Sequence, residues 1–307
     1  MQQEQLSNLR ANIERRKLIS AVFSGLGLLI IFVSTLILFI LIAQMMMAGL
    51  PRITPQFFTS FPSRHPEEAG ILSAWVGTLL VMLVTALIAI PLGIAAGIYL
   101  EEYSKKNWLS AIIEINVTNL AGVPSIIYGL LALGLFVYQF NLGQSIIAAG
   151  LTLALLILPV VIVTTREAIR AIPNSLREAA YAVGASRWQV VADHILPYSF
   201  GSILTGVIIG LSRAIGETAP VITIGALTFI AFLPDAPLQA NFPFINFNWL
   251  KAPFTVMPIQ MFNWVSRPEP EFEVNAAAAG TVLIVMTLGM NAVAIYVRYR
   301  FRKGIKW

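Results

Sequence analysis

The 307-residue sequence is 57% hydrophobic and 11% charged, with a mean hydropathy of +0.79, which excludes a soluble globular domain and leaves room for several membrane spans. It contains no cysteine, so a disulfide framework, thiol chemistry and cysteine-ligated zinc are excluded. The net charge of +5 is spread beside apolar runs, as membrane orientation requires, and this sets nucleic acid aside as a partner.

Residues 1–17 are polar, end in Arg15-Arg16-Lys17, and read as a cytosolic N-terminal tail. The apolar run 18–47 is longer than the ~7 to 15 residues of a signal-peptide core and has no clear small-x-small cleavage site, so it is a retained first span. Residues 18–70 thus form one unit, the span plus an ordered outer loop (49–70) punctuated by Pro51, Pro55, Pro62 and Pro66. Span 2, residues 71–100, carries Pro91, Gly93 and Gly97, which predict a bend near its inner end. The short inner loop Glu101-Glu102-Tyr103-Ser104-Lys105-Lys106 follows.

Span 3, residues 108–140, is too long for one straight crossing at about 1.5 Å per residue over about 30 Å of hydrocarbon. Its break is predicted at Ala121-Gly122-Val123-Pro124-Ser125, because Pro124 has no N–H to donate. Two readings of the break are open. It is a proline kink that shapes packing, or it creates a half-helix N-terminus whose free N–H groups attract an anion together with the Ser125 hydroxyl. Tyr128 and Gly129 suit either. Residues 141–144 make a tight outer turn, and span 4 begins at Ser145.

The loop 172–197, IPNSLREAAYAVGASRWQVVADHILP, joins span 4 to the next apolar run and is too polar to lie in hydrocarbon. Ser175-Leu176-Arg177-Glu178 has the S-x-x-E form of a capping box, and Leu176, Ala179, Ala180 and Val183 then share one helix face. Gly184 is placed to end that helix in the left-handed conformation. Ser186-Arg187-Trp188-Gln189 repeats the capping form, Trp188, Val191 and Ile195 make a second apolar face, and Pro197 is expected to break it. The loop is therefore predicted to be a cytosolic hairpin of two short helices. It rests on the membrane surface or, as the small residues Ala179, Ala180, Gly184 and Ala185 favour, approaches another protein closely.

Residues 198–232 are apolar apart from Arg213 and Glu217, whose spacing of four predicts one helix face. We read one crossing, span 5, disturbed at Pro220 and followed by a re-entrant or interfacial piece, because two crossings would put the basic C-terminus outside. An arginine at the membrane centre costs about 2.5 to 3.5 kcal/mol, so Arg213 faces protein or water. Two roles are open for the pair: mutual neutralisation that latches span 5 to a neighbour, or an arginine donor fork for a passing oxyanion. In the second, Glu217 competes with the anion for Arg213 and accepts a hydrogen bond from a protonated anion such as hydrogen phosphate, a bond that sulfate cannot donate. Residues 234–273 form a large outer loop, 274–296 span 6, and 301–307 a cytosolic basic tail.

The basic residues Arg10, Arg15, Arg16, Lys17, Lys105, Lys106, Arg166, Arg170, Arg177, Arg187, Arg298, Arg300, Arg302, Lys303 and Lys306 all fall on the inner side of this arrangement. Only Arg52, Arg64, Lys251 and Arg267 fall outside, so six spans with both termini cytosolic satisfy the positive-inside rule.

The loop 172–197 resembles the EAA motif of ABC-importer permeases: Glu178-Ala179-Ala180, three residues, Gly184, nine residues, then a close at Leu196-Pro197, with His194 departing from the isoleucine the pattern prefers. Gly122-Val123-Pro124-Ser125-Ile126-Ile127-Tyr128-Gly129, the run Arg213 to Pro220 with Thr218-Ala219-Pro220 after Glu217, Phe262-Asn263-Trp264-Val265-Ser266-Arg267-Pro268 and residues 291–298 are similar to the phosphate-specific ABC permease family, in its PstA-like form. The resemblance implies an all-α polytopic membrane protein with six transmembrane helices in the MetI-like type I importer architecture, with the permease domain over residues 71–300. It places the chain in the bacterial cytoplasmic (inner) membrane. It implies a phosphate path lined by Arg213, Glu217, Ser125, Tyr128 and Thr218, and an ATPase-coupling surface made by Glu178, Ala179, Ala180, Gly184, Leu196 and Pro197. The implied partners are a PstC-like second permease subunit, a PstB-like ATPase dimer that carries ATP and Mg, a PstS-like phosphate-binding protein, and membrane lipid.

The chain has no G-x-x-x-x-G-K-[ST] loop, so no ATP hydrolysis of its own is expected, and neither is a bound cofactor or metal. Glu178, His65 and His194 lie in separate segments, which gives no nucleophile–base or metal spacing for a membrane enzyme. A permease for sulfate, molybdate or tungstate and an ion-coupled secondary transporter remain as alternatives.

Overall fold

The computed structural model describes residues 2–105, 107–237 and 244–302, with side chains described over 12–300 of these. Lys106 and the expected basic tail at 301–307 therefore lie outside the described side chains. The described residues form twelve α-helices: α1 (Gln2–Gly49), α2 (Pro55–Thr59), α3 (Leu72–Ile98), α4 (Trp108–Leu120), α5 (Ser125–Ala132), α6 (Ile146–Arg170), α7 (Asn174–Ala182), α8 (Arg187–Gln189), α9 (Leu196–Gly216), α10 (Ala219–Thr223), α11 (Met257–Val265) and α12 (Glu271–Arg302). Five helical stretches, ending at Arg52, Tyr103, Arg170, Gly216 and Arg300, are long and apolar enough to cross a membrane.

The polar segment before span 1 belongs to the span's own helix. α1 runs without interruption from Gln2, because helix-forming residues continue to Ser24 with no glycine or proline among them. Its apolar flank is uncovered along most of its length. It docks only near its end, where a Cβ on Gly49 would come within 2.6 Å of the Ala277 backbone of α12.

The loop after α1 is not the helix-free segment its prolines had predicted: Pro55 opens the short helix α2, and Arg52 organises the rest. Its guanidinium donates to the carbonyls of Pro66, Glu67 and Ala69 and, through Nε, to Asn275 Oδ1 of α12 at 2.8 Å. Phe57, Trp264 and Phe272 are fully buried beneath this loop.

α3 and α6 form the centre of the bundle. α3 runs as one helix through Pro91 to Ile98. Its glycines seat it against α6: a Cβ on Gly93 would meet Val161 at 2.6 Å, and one on Gly97 would meet Thr165 at 2.6 Å. Small residues in membrane helices permit this close approach.

The expected span 3 is broken where Pro124 predicted. α4 and the helical stretch Ser125–Gln139 meet at 106°, so they form a bent pair rather than a rod. The Tyr128 hydroxyl donates to the Leu120 carbonyl at 2.8 Å, beside the Val123 amide that donates to the same oxygen, and so ties α5 back to the end of α4. Asn141 and Gly143 take the left-handed conformation in the outer turn that follows.

Pro197 does not break the second arm of the loop 172–197. Arg187 to Gly216 is one helical stretch of 30 residues, because a π-helical segment, Val190–Ile195, precedes Pro197 and its wider turn accommodates the ring. The predicted second short helix is thus the inner end of span 5.

Candidate functional site: an ion pair at a helix break and a polar hairpin

Arg213 and Glu217 form an ion pair, with Nε 3.1 Å from Oε1. They do not share a helix face, as their spacing had predicted. α9 ends at Gly216 and Glu217 is extended (ψ 126°), because its N–H turns back to the Ala214 carbonyl and Pro220 follows in the next helix. The arginine thus occupies the last turn of α9, where positive charge complements the helix dipole. Its side chain is 42% exposed and that of Glu217 17%, so the cation is the more accessible partner.

Two half-helices meet beside the pair. α5 and α10 pack so closely that a Cβ on Gly129 would strike Thr223 Oγ1 and come within 2.7 Å of Pro220 Cα. Tyr128, next to this contact, is buried. Ser125 opens α5 and is partly covered, and Thr218, in the break between α9 and α10, places its hydroxyl 3.5 Å from the Gly216 carbonyl. A small cavity adjoins Glu217 and is lined by Thr78, Val81 and Met82 of α3, with Leu153, Val221 and Val256. Sequence reasoning missed the α3 wall, since nothing in an apolar run marks which face turns toward Glu217.

The hairpin takes its turn at Gly184, whose φ of +87° is left-handed as expected. The second capping box forms: the Ser186 amide donates to Gln189 Oε1 at 2.8 Å, and the Gln189 amide to Ser186 Oγ at 3.4 Å. The first does not. α7 starts at Asn174, one residue before Ser175, with Pro173 at its N-cap and no side-chain cap.

Arg177 holds that end of the hairpin instead. Its Nε and one terminal nitrogen donate to Glu102 Oε1 at 3.0 and 2.7 Å, and it also donates to the carbonyls of Ile169 and Ile172 at 3.1 and 2.8 Å. Ala180 is buried against Ile169, Val190, Val191 and Ile195, so it packs within the chain rather than on its surface. Glu178, Ala179, Gly184 and Pro197 are exposed, and Leu196 is partly covered. Val183 is 85% exposed and Trp188 also stands free of the bundle, leaving an apolar tip uncovered. The first half of the broken span is fastened ionically: Arg166, buried in α6, lies 2.8 Å from Glu114 of α4 and 3.5 Å from Glu101.

Residues 89–307 match the family described as binding-protein-dependent transport system inner membrane component. The chain is 35% identical over 220 residues to the phosphate transport system permease protein PstA of Haemophilus influenzae, covering 71% of this chain and 76% of that protein. It is 32% identical to PstA of Mycobacterium leprae, with 74% and 70% covered. It is 29% identical to the probable ABC transporter permease YqgI of Bacillus subtilis, with 91% and 95% covered. The fold matches that of a bacterial ABC transporter involved in alginate import, with a TM-score of 0.61 at 16% identity, over 95% of this chain and 99% of that one. It also matches the MetNI methionine transporter, with a TM-score of 0.52 at 15% identity, over 75% and 94%. The fold is the all-helical, MetI-like importer permease architecture expected from the sequence. The relatives are named as permease proteins, in keeping with a non-catalytic subunit. The chain belongs to the inner membrane components of binding-protein-dependent transport systems, as an ABC permease of the PstA type.

Proposed function

We propose that this chain is the permease subunit of an importer that moves inorganic phosphate into the cytosol, driven by ATP hydrolysis on a separate PstB-like ATPase dimer that carries ATP and Mg. A PstC-like permease subunit would complete the path, a PstS-like binding protein would deliver the anion, and both termini would face the cytosol across a bacterial inner membrane.

The Arg213–Glu217 pair carries the substrate reading. A partly open guanidinium held by one carboxylate at a helix break offers donors to an oxyanion, and the carboxylate returns to the arginine once the anion leaves. Alternating capture and release of this kind is what transport demands of a site. Glu217 can accept a hydrogen bond from hydrogen phosphate, whereas sulfate, which has no proton to donate, meets its negative charge. Ser125, Tyr128 and Thr218 line the same region in this reading. The exposed hairpin residues Glu178, Ala179, Gly184 and Pro197, with Leu196, would meet the ATPase, while Ala180 supports them from beneath.

The test is uptake of radiolabelled phosphate by the complete transporter carrying Arg213→Gln or Glu217→Gln. Loss of uptake with the complex still assembled is expected for Arg213→Gln. Near-normal uptake in both variants would remove the site from the path, and full competition by sulfate or molybdate in the unmodified transporter would reassign the substrate.

A further inference from the structure

The hairpin is continuous in sequence with α6 and α9 only. α3, which supplies Thr78, Val81 and Met82 to the wall beside Glu217, has no covalent link to it. Yet three contacts of different chemistry run from the hairpin to the π-helical turn Tyr99–Tyr103 that closes the inner end of α3. The Arg177 fork holds Glu102, the Arg187 guanidinium lies 5.7 Å above the Tyr103 ring, and Ile98 and Tyr103 pack on the apolar cluster around Ala180. Among these the ion pair is the most enclosed in polar terms, with side chains 16% and 9% exposed, and the same guanidinium also takes up two carbonyls at the end of α6.

We propose that Arg177–Glu102 is the joint that makes α3 follow the hairpin, so that force applied to the hairpin reaches both walls of the Arg213–Glu217 site. This rests on the reading that a nucleotide-driven subunit acts on the hairpin. A forked arginine fixes direction as well as distance, which suits a joint better than a lysine point charge. Without the pair, α9 still moves with the hairpin while α3 lags behind. Arg177 and Glu102 are therefore positioning residues, remote from the transported anion.

The experiment uses the complete transporter in proteoliposomes and reads phosphate taken up per ATP hydrolysed. Glu102→Ala and Arg177→Ala are expected to lower that ratio about tenfold with the complex intact, the order expected for residues that carry coupling. Arg170→Ala, which removes a neighbouring partner of Glu101 without touching the hairpin, serves as the control and is expected to leave the ratio unchanged. A second readout needs no substrate. The chain has no cysteine, so spin labels at Ser175→Cys on the hairpin and Leu92→Cys on α3 report one distance.

That distance is expected to stay the same with and without ATP in the otherwise unmodified protein and to change with ATP in Glu102→Ala. An unaltered ratio in Glu102→Ala, an equal fall in Arg170→Ala, or an ATP-dependent Ser175–Leu92 distance before any joint residue is changed would each overturn the proposal. Because the label distance does not require uptake, it decides the matter even where phosphate proves to be the wrong substrate, and its measurement in the otherwise unmodified protein does not depend on the Glu102 variant folding.

Discussion

The Ser212 hydroxyl lies 2.6 Å from Asn291 Oδ1, tying α9 to α12 one residue before Arg213. Two turns away, Arg298 donates to Thr205 Oγ1 at 2.8 Å. Polar contacts between membrane helices average about 0.6 kcal/mol. Asn291→Leu and Thr205→Val are each expected to lower stability by roughly that amount. Their effects should add in the double variant, since the sites are separated by about 10 Å along the helix. Unfolding of the detergent-solubilised protein checks this, and a double variant no worse than either single one would contradict it.

Gly129→Ala is expected to destabilise the protein by about 1 to 3 kcal/mol, because the added methyl must displace Thr223 and the Pro220 backbone. It should also depress uptake, since it parts the two half-helices next to Arg213. Gly134, in the same broken span, has nothing within 4 Å of an added Cβ, and its change to alanine is the matched control.

Gly184→Ala tests backbone geometry rather than space. Nothing lies within 4 Å of a Cβ there, but the φ of +87° is unfavourable for alanine by about 1 to 2 kcal/mol. Asparagine, which tolerates the left-handed region better, is expected to retain more function. Retention of the ATPase subunit during purification is the readout, ranked Gly, then Asn, then Ala.

Glu217→Gln is expected to weaken discrimination between phosphate and sulfate, because an amide no longer repels a fully deprotonated anion. Sulfate competition against phosphate uptake should rise in this variant, whereas unchanged competition would place selectivity elsewhere.

Much of the fold was legible because composition and local breakers are strong signals in a membrane chain. Pro124 marked the break in span 3, Gly184 the hairpin turn, and Ser186-x-x-Gln189 a cap that forms. In each misreading a local pattern was outweighed by something else: a partner distant in sequence, a breaker close by, or the packing of the next helix. Ser175-x-x-Glu178 has the letters of a capping box, yet Arg177 between them anchors the segment to Glu102, 75 residues earlier. The spacing of Arg213 and Glu217 suggested one helix face, but Pro220 and the turn at Glu217 end the helix first. Ala180 looked available to a partner until α7 folded against Val190 and Ile195, a contact that no window around residue 180 contains.

The unbroken helical run from Arg187 to Gly216 has a mechanical corollary. Between Arg187 and Arg213 it spans about 39 Å, so a tilt of about 5° at its Arg187 end sweeps the guanidinium through about 3 Å, a full hydrogen-bond length. Glu217 caps the end of that rod, with its N–H on the Ala214 carbonyl, and so is carried along with Arg213. The ion pair therefore travels intact with the rod's end, and a few degrees of tilt would change which side chains of α3 it faces rather than whether its positive charge is claimed.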